Sequence, residues 1–282
     1  MYDVMPPSVD QIIQTALEED LGRGDITTRL TIPQNAKGNG RVIARQDMVV
    51  SGLSVFAKVN HFVDPSLALK LNTADGDNIK NGALIAEVSG AIASLLQAER
   101  VSLNFLQRLC GVSTLTRRFV DALPKNSKTK IADTRKTTPG LRFMERQAVL
   151  HGGGQNHRVD LAGGILIKEN HIVAAGSIKE AVKKCLNGAP HPLLVEVEVQ
   201  NITQLQEALD AGAQAVLLDN MTANEISKCV ALVNGRAIVE ASGGVNLKTL
   251  FAIAAAGVDV ISVGALTHSA PAADISFLID DV

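Results

Sequence analysis

From Lys128 onward the sequence alternates short apolar runs with amphipathic segments, and this alternation restricts the fold more than any other feature of the chain. The apolar runs end near Asp133, Ile167, Val197, Leu218, Ala241 and Val263. Between them lie SIKEAVKKCLNG, TQLQEALDAGA, TANEISKCVALVNG and NLKTLFAIAAAGV, whose apolar residues recur at helical spacing; each carries glycine as its last or next-to-last residue. Strand alternating with helix specifies βαβ units and a parallel sheet. Six strands in about 140 residues are too few for an eightfold barrel of roughly 250 residues. An incomplete α/β barrel is therefore expected.

In such barrels the chemistry stands at the carboxyl ends of the strands. Those positions hold Arg135 and Lys136, then Lys168, Glu198, Asp219, the turn Ser242-Gly243-Gly244, and Gly264. Cations come first, two carboxylates follow, and glycine-containing turns close the series. Late glycine turns in this architecture bind phosphate through backbone N–H groups, so one end suits a phosphate and the other a carboxylated ligand. Glu198 and Asp219, between them, could hold sugar hydroxyls, a metal ion or a developing positive charge.

A basic stretch overlaps these positions. Between Thr134 and His171 stand Arg135, Lys136, Arg142, Arg146, Arg158 and Lys168 against Glu145, Asp160 and Glu169, in a chain whose formal net charge is −2. The stretch reads as a pocket for a small polyanion carrying carboxylates, phosphates or both. Arg142 and Arg146, spaced i, i+4, read as readily solvated as functional, and His151 reads as structural. His157-Arg158 after a triple glycine, and Lys168 at the end of GILIK, favour function. Glu196 and Glu198 share one strand face, so one or both must have a partner.

The amino-terminal half has a different texture. Ser8-x-x-Gln11 reads as a capping box opening a helix with Val9, Ile12, Ile13, Ala16 and Leu17 on one face and Gly22 at its end. GRGDITT reads as a loop. From Arg41 to about Ser89, short alternating segments predict a small antiparallel sheet. Within it ADGDNIKNGALIAEVSG is similar to the hammerhead turn of a biotinyl or lipoyl carrier but lacks the modified lysine, so a structural hairpin is expected. Ser94 to Leu123 is helical, with Gly111 expected to separate two helices. The boundaries are a first domain over 1–111, a barrel domain over 112–269, and a closing segment, 270–282, that packs back on the first.

Composition excludes several classes. Hydrophobic residues are 46% and charged residues 20%, ordinary for a globular protein, and no apolar run nears the roughly 20 residues of a membrane span. The amino terminus shows neither the basic nor the apolar region of a secretory signal. Cys110, Cys185 and Cys229 have no metal-ligand spacing, and a cytoplasmic protein with reduced thiols is expected. Tryptophan is absent and aromatics are 3%, which argues against nucleic-acid stacking.

The motifs EEDLGRGDITT, AERVSLNFLQRLCGVST, TRKTTPGLR, GGGQNHR, IKENH, VEVEV, LLDN, ASGG and VGALTHS, in this order and over nearly the whole chain, resemble the quinolinate phosphoribosyltransferase family. Cys110 departs from the pattern, where serine is expected more often. The resemblance implies an N-terminal α+β open sandwich, an incomplete, seven-stranded α/β barrel, and a homodimer. It implies that quinolinate and phosphoribosyl pyrophosphate give nicotinate mononucleotide, pyrophosphate and carbon dioxide, with Mg²⁺, in de novo NAD biosynthesis. Carried over by motif, Arg135, His157, Arg158 and Lys168 would bind the quinolinate carboxylates, and Arg100 would reach the site from the partner subunit. Lys136 would face the pyrophosphate, Glu198 and Asp219 the ribose and its metal, and Ser242, Gly243, Gly244 and Gly264 phosphate groups. Lys136, Lys168, Glu198 and Asp219 would be the catalytic set. A transferase for another carboxylated heterocycle, a Schiff-base aldolase using Lys168, and a non-enzymatic phosphosugar-binding module are the alternatives. Neither nucleic acid nor membrane is an expected partner.

Overall fold

A computed structural model describes residues 5–280; residues 1–4 and 281–282, at the outer ends of the expected first domain and closing segment, lie outside the described residues. The chain divides into two compact units. One comprises Met1–Arg117, Thr138–Gly153 and Ser269–Val282, the other Arg118–Thr137 and Gly154–His268. The basic stretch is thereby split: Thr138–Gly153, with Arg142, Arg146 and His151, belongs to the first unit and the rest to the second.

The chain begins with α1 (Pro7–Leu21), α2 (Ile26–Thr31), β1 (Lys37–Ala44), β2 (Met48–Val49), α3 (Leu53–Val63), β3 (Ala68–Leu71), β4 (Asn78–Ile79), β5 (Leu84–Ala91) and α4 (Ile92–Asp121). It continues with β6 (Lys130–Ala132), α5 (Arg142–His151), β7 (Ile165–Ile167), α6 (Glu169–Ala175), α7 (Ile178–Gly188), β8 (Val195–Val199), α8 (Ile202–Asp210) and β9 (Ala215–Asp219). It closes with α9 (Ala223–Val233), β10 (Ile238–Ser242), α10 (Leu250–Ala255), β11 (Val260–Ser262), α11 (Ala265–His268) and β12 (Ile275–Ile279).

The first unit is built on an antiparallel sheet in the order β12-β1-β5-β3. The closing strand thus pairs with the strand that opens the sheet. Val42 and Ala44 of β1 and Ala86 and Val88 of β5 join Phe56 of α3 and Leu95, Leu103 and Leu106 of α4 in one core. Each such leucine contributes about 1.5–3 kcal/mol by leaving water.

Four local expectations are corrected here. Helix α1 starts at Pro7 with Pro6 in the cap position and no side-chain cap, so Ser8 does not serve as one. GRGDITT is half helix, because the Asp25 carboxylate accepts the Thr28 N–H at 2.9 Å and starts α2. LSVFAKVNHFV, inside the expected sheet region, is α3, its Phe56, Val59 and Asn60 buried along one face. Finally, α4 passes through Gly111 without a break. Gly111 is there for close approach: a Cβ would stand 2.0 Å from the Pro271 carbonyl oxygen.

The second unit carries a parallel sheet, six-stranded among the described residues, in the order β6-β11-β10-β9-β8-β7. A parallel bridge between Ala132 and Gln155 adds a single residue to the free side of β6. In β8 the burial alternates, with Val195, Val197 and Val199 fully buried and Glu196 and Glu198 on the opposite face. No helix among the described residues is long and apolar enough to cross a membrane.

Candidate active site

The strand ends of the second unit define the site. Arg135, Lys136, His157, Arg158, Lys168, Glu198, Asp219, Ser242, Gly243 and Gly244 line one cavity of about 420 Å³, within the range of small-molecule sites. The structure adds residues that the sequence did not mark, chief among them Asn220 and Glu240. Asn220 is legible in LLDN, and Glu240 in IVEAS as an acid inside an otherwise apolar strand.

At the cationic end, Arg135 and Arg158 lie close enough to repel. Burial and then the Arg135 charge lower the Arg158 guanidinium from its ordinary value. The Arg158 Nη1 donates to the Gly164 carbonyl at 2.9 Å, and its backbone N–H donates to His157 Nδ1 at 2.7 Å. Lys168 follows β7 directly and its ammonium donates to the Glu198 carboxylate.

His157 is fixed on all sides. Its backbone N–H donates to the fully buried Asp133 at 2.7 Å, and its Nε2 lies 3.4 Å from Glu196 Oε2 and 3.4 Å from Glu240 Oε2. Both ring nitrogens therefore already face protein groups. Glu196, then Glu240, push the imidazole up to about 10, and burial works in the other direction. Burial raises the Glu196 carboxyl. Thus both acids of the VEVEV face have a cationic or imidazole partner, Glu196 with His157 and Glu198 with Lys168.

At the opposite end the turn after β10 is shaped by Asn220. Gly243 has φ +87° and a Cβ there would stand 2.3 Å from Asn220 Oδ1. Asn220 itself is left-handed at φ 55°, its backbone N–H donates to the Ser242 carbonyl at 3.0 Å, and its amide donates to Asp219 at 2.9 Å. The turn therefore presents backbone to the cavity with no side chain in the way.

Several marked residues stand elsewhere. Gly264 does not line the cavity; a Cβ on it would come 3.1 Å from Lys136 Cδ, so it clears a path for the lysine stem. The Lys136 carbonyl accepts the Thr267 hydroxyl at 2.8 Å. Arg100 is exposed on α4, 3.7 Å from Glu99, and is not a lining residue. Arg142, Arg146 and His151 do not line it either. Arg146 is buried, and His151 Nδ1 is 2.8 Å from the Ser51 hydroxyl, a structural contact.

Two donor sets could attract a cation. Glu198 and Asp219 are hard oxygen donors at the cavity wall and fit Mg²⁺, which takes one or two carboxylates together with substrate phosphates. The ligand atoms of His157, Glu196 and Glu240 lie within 4.8 Å of one another. That set fits poorly, because Nε2, the nitrogen a metal would need, holds its proton between Glu196 and Glu240.

Comparison with known proteins agrees along the chain. The C-terminal domain of quinolinate phosphoribosyl transferase matches residues 112–278 and its N-terminal domain matches residues 25–110. A probable nicotinate-nucleotide pyrophosphorylase (carboxylating) of Bacillus subtilis is 42% identical over 92% of this chain and 89% of its own length. A mitochondrial quinolinate phosphoribosyltransferase (decarboxylating) of Nicotiana glauca is 38% identical over 99% of this chain and 85% of its own length. Among solved structures, the nicotinate-nucleotide pyrophosphorylase of Francisella tularensis superposes with a TM-score of 0.94 at 37% identity, covering 99% of this chain and 98% of that one.

Proposed function

The chain belongs to the quinolinate phosphoribosyltransferase family, and we infer that its strand-end cavity is where quinolinate meets phosphoribosyl pyrophosphate. The reaction is phosphoribosyl transfer with decarboxylation, a step of de novo NAD biosynthesis that yields nicotinate mononucleotide, pyrophosphate and carbon dioxide.

One observation supports this use of the cavity above the rest. Arg135 and Arg158 are held together against their mutual repulsion, with Lys168 on the same wall. Such a cluster suits a ligand with more than one negative charge, and quinolinate brings two carboxylates to neighbouring ring positions. His157, on the same lining, adds the positive charge of its imidazole toward the carboxylates.

The chemistry follows from the residue types. The pyridine nitrogen displaces pyrophosphate at the anomeric carbon through an oxocarbenium-like state. Glu198 and Asp219 stabilise that positive charge, and Lys136 faces the leaving group. The turn Ser242-Gly243-Gly244 offers backbone N–H groups to phosphate oxygens. Glu198 and Asp219 would hold Mg²⁺ together with the pyrophosphate, and the ion would supply neutralisation of charge on the leaving group. Once quaternised, the ring nitrogen stabilises the electron pair left when the adjacent carboxylate departs, so no imine is required. Lys168, half exposed and ion-paired, lacks the desolvated setting an imine-forming lysine requires.

The reading extends to a cytoplasmic homodimer in which each Arg100 serves the partner's cavity; its exposure and its absence from its own chain's lining support this. The reaction is tested by following both small products from quinolinate, phosphoribosyl pyrophosphate and Mg²⁺. Pyrophosphate and carbon dioxide should appear in equal amounts, and pyrophosphate without carbon dioxide would contradict the reading.

A further inference from the structure

Glu240 has no part in the steps above, yet it is the most deeply placed carboxyl of the cavity. It stands within β10, two residues before Ser242 and on the same strand face, with its side chain 5% exposed. Oε2 lies 3.4 Å from His157 Nε2. Oε1 is buried with no hydrogen-bond partner, although the residue lines the cavity. A carboxylate oxygen buried and unsatisfied is unfavourable and calls for a functional reason.

The reaction leaves one step without a group. When carbon dioxide departs, the electron pair of the broken bond remains on ring C2, and that carbon must gain a proton. Arg135 and Arg158 do not give up protons. Lys168 and Glu198 are paired with each other, the His157 Nε2 proton lies between Glu196 and Glu240, Asp219 accepts from the Asn220 amide, and Lys136 faces the leaving group, which leaves Glu240. The charged groups around it are His157, Glu196 across the same Nε2, and the cavity cations Arg135, Arg158 and Lys168. The flanking strands β9 and β11 present the neutral Leu217 and Ser262. Two carboxylates arriving beside a buried carboxylate drive a proton onto it.

We propose that Glu240 takes up a proton as quinolinate binds and delivers it to ring C2 when carbon dioxide leaves, a role that rests on the reaction assigned above. The C2–carboxylate bond breaks and its electron pair stays on C2. The Glu240 O–H bond then breaks, its proton forms the new C2–H bond, and the carboxylate left behind faces the His157 N–H. Solvent supplies the next proton. A second cavity of about 330 Å³, lined by His157, Glu196 and Glu240 together with Ala215 and Ile238 at the starts of β9 and β10, offers water a way to Glu240 from the other end of the strands.

The test has two readings. Calorimetric titration with quinolinate alone, in two buffers of different ionisation enthalpy, should show uptake of about one proton per site, lost in Glu240→Gln. In single turnovers Glu240→Gln should release pyrophosphate within about threefold of the normal rate while C2 protonation slows by about 100-fold or more, the range of a general acid. The carboxylated nucleotide then accumulates, and Glu240→Asp restores part of the protonation. Unchanged proton uptake in Glu240→Gln, or equal slowing of pyrophosphate and nicotinate mononucleotide, overturns the proposal. If the glutamine variant does not fold, the unsubstituted protein still decides: quinolinate binding without proton uptake overturns the role of Glu240 alone. Absence of pyrophosphate from the unsubstituted protein overturns the reaction and this role together.

Discussion

Lys168, immediately after β7, and Glu198, on the neighbouring β8, form an ion pair at the wall of the cavity, the lysine 47% exposed and the glutamate 15%. An ion pair so open to water adds about 0–1 kcal/mol to stability, so its value lies in what it presents to substrate. Lys168→Ala and Arg135→Ala should each lower turnover by about 100-fold or more while thermal melting stays within about 2 °C. Near-normal turnover in either variant would remove that residue from the site.

The turn after β10 depends on Gly243. Alanine there meets Asn220 Oδ1 at 2.3 Å and must adopt φ +87°. Gly243→Ala should destabilise the fold by about 1–3 kcal/mol and weaken binding of phosphoribosyl pyrophosphate more than binding of quinolinate. Separate titrations with the two substrates check this; equal losses would contradict a phosphate role for the turn.

His157 gives the protein a signed pH dependence. Its folded value is raised, chiefly by Glu196, to about 10, against about 6.5 in the unfolded chain. A raised value contributes stability that is complete below about pH 6.5 and is lost as pH climbs toward 10. Denaturant unfolding of the natural protein and of His157→Asn should therefore differ most near pH 6 and converge toward pH 10. A difference that widens with pH would contradict the pairing with Glu196 and Glu240.

Arg100 tests whether the site is shared. Arg100→Ala and Lys168→Ala chains, each inactive alone, should recover about a quarter of the activity when mixed at equal amounts, since random pairing makes half the molecules hybrids with one intact site. Confirmed hybrids without any recovery would place Arg100 outside the partner's cavity.

Much of the second unit was legible because each of its signals is local. Strand and helix periods, glycine punctuation and charged residues at strand ends require no knowledge of distant chain, and Arg135, Lys168, Glu198 and Asp219 do line one cavity. What the sequence hid depends on long-range neighbours. Gly111 reads as a helix end until Pro271 is seen pressed against it. Gly264 reads as a phosphate loop, and the room it leaves for the Lys136 stem shows only in the fold. Arg142 and Arg146 share the basic stretch with Arg135, yet the chain assigns them to a different unit. There the buried Glu145 accepts from Arg108 at 2.6 Å and from the Thr138 hydroxyl at 2.7 Å. Glu240 had one local signal, an acid inside the apolar strand IVEAS, but its partner His157 is distant in sequence and shows only in the fold.

The central claim is that the cavity requires both carboxylates of its pyridine substrate. Its most direct test compares quinolinate with nicotinate, each with phosphoribosyl pyrophosphate and Mg²⁺, by assay of nicotinate mononucleotide. Arg135, Arg158 and Lys168 acting on a dicarboxylate predict product from quinolinate and none from nicotinate. Equal product from both acids would contradict the account, for the cation cluster would then have no second carboxylate to answer.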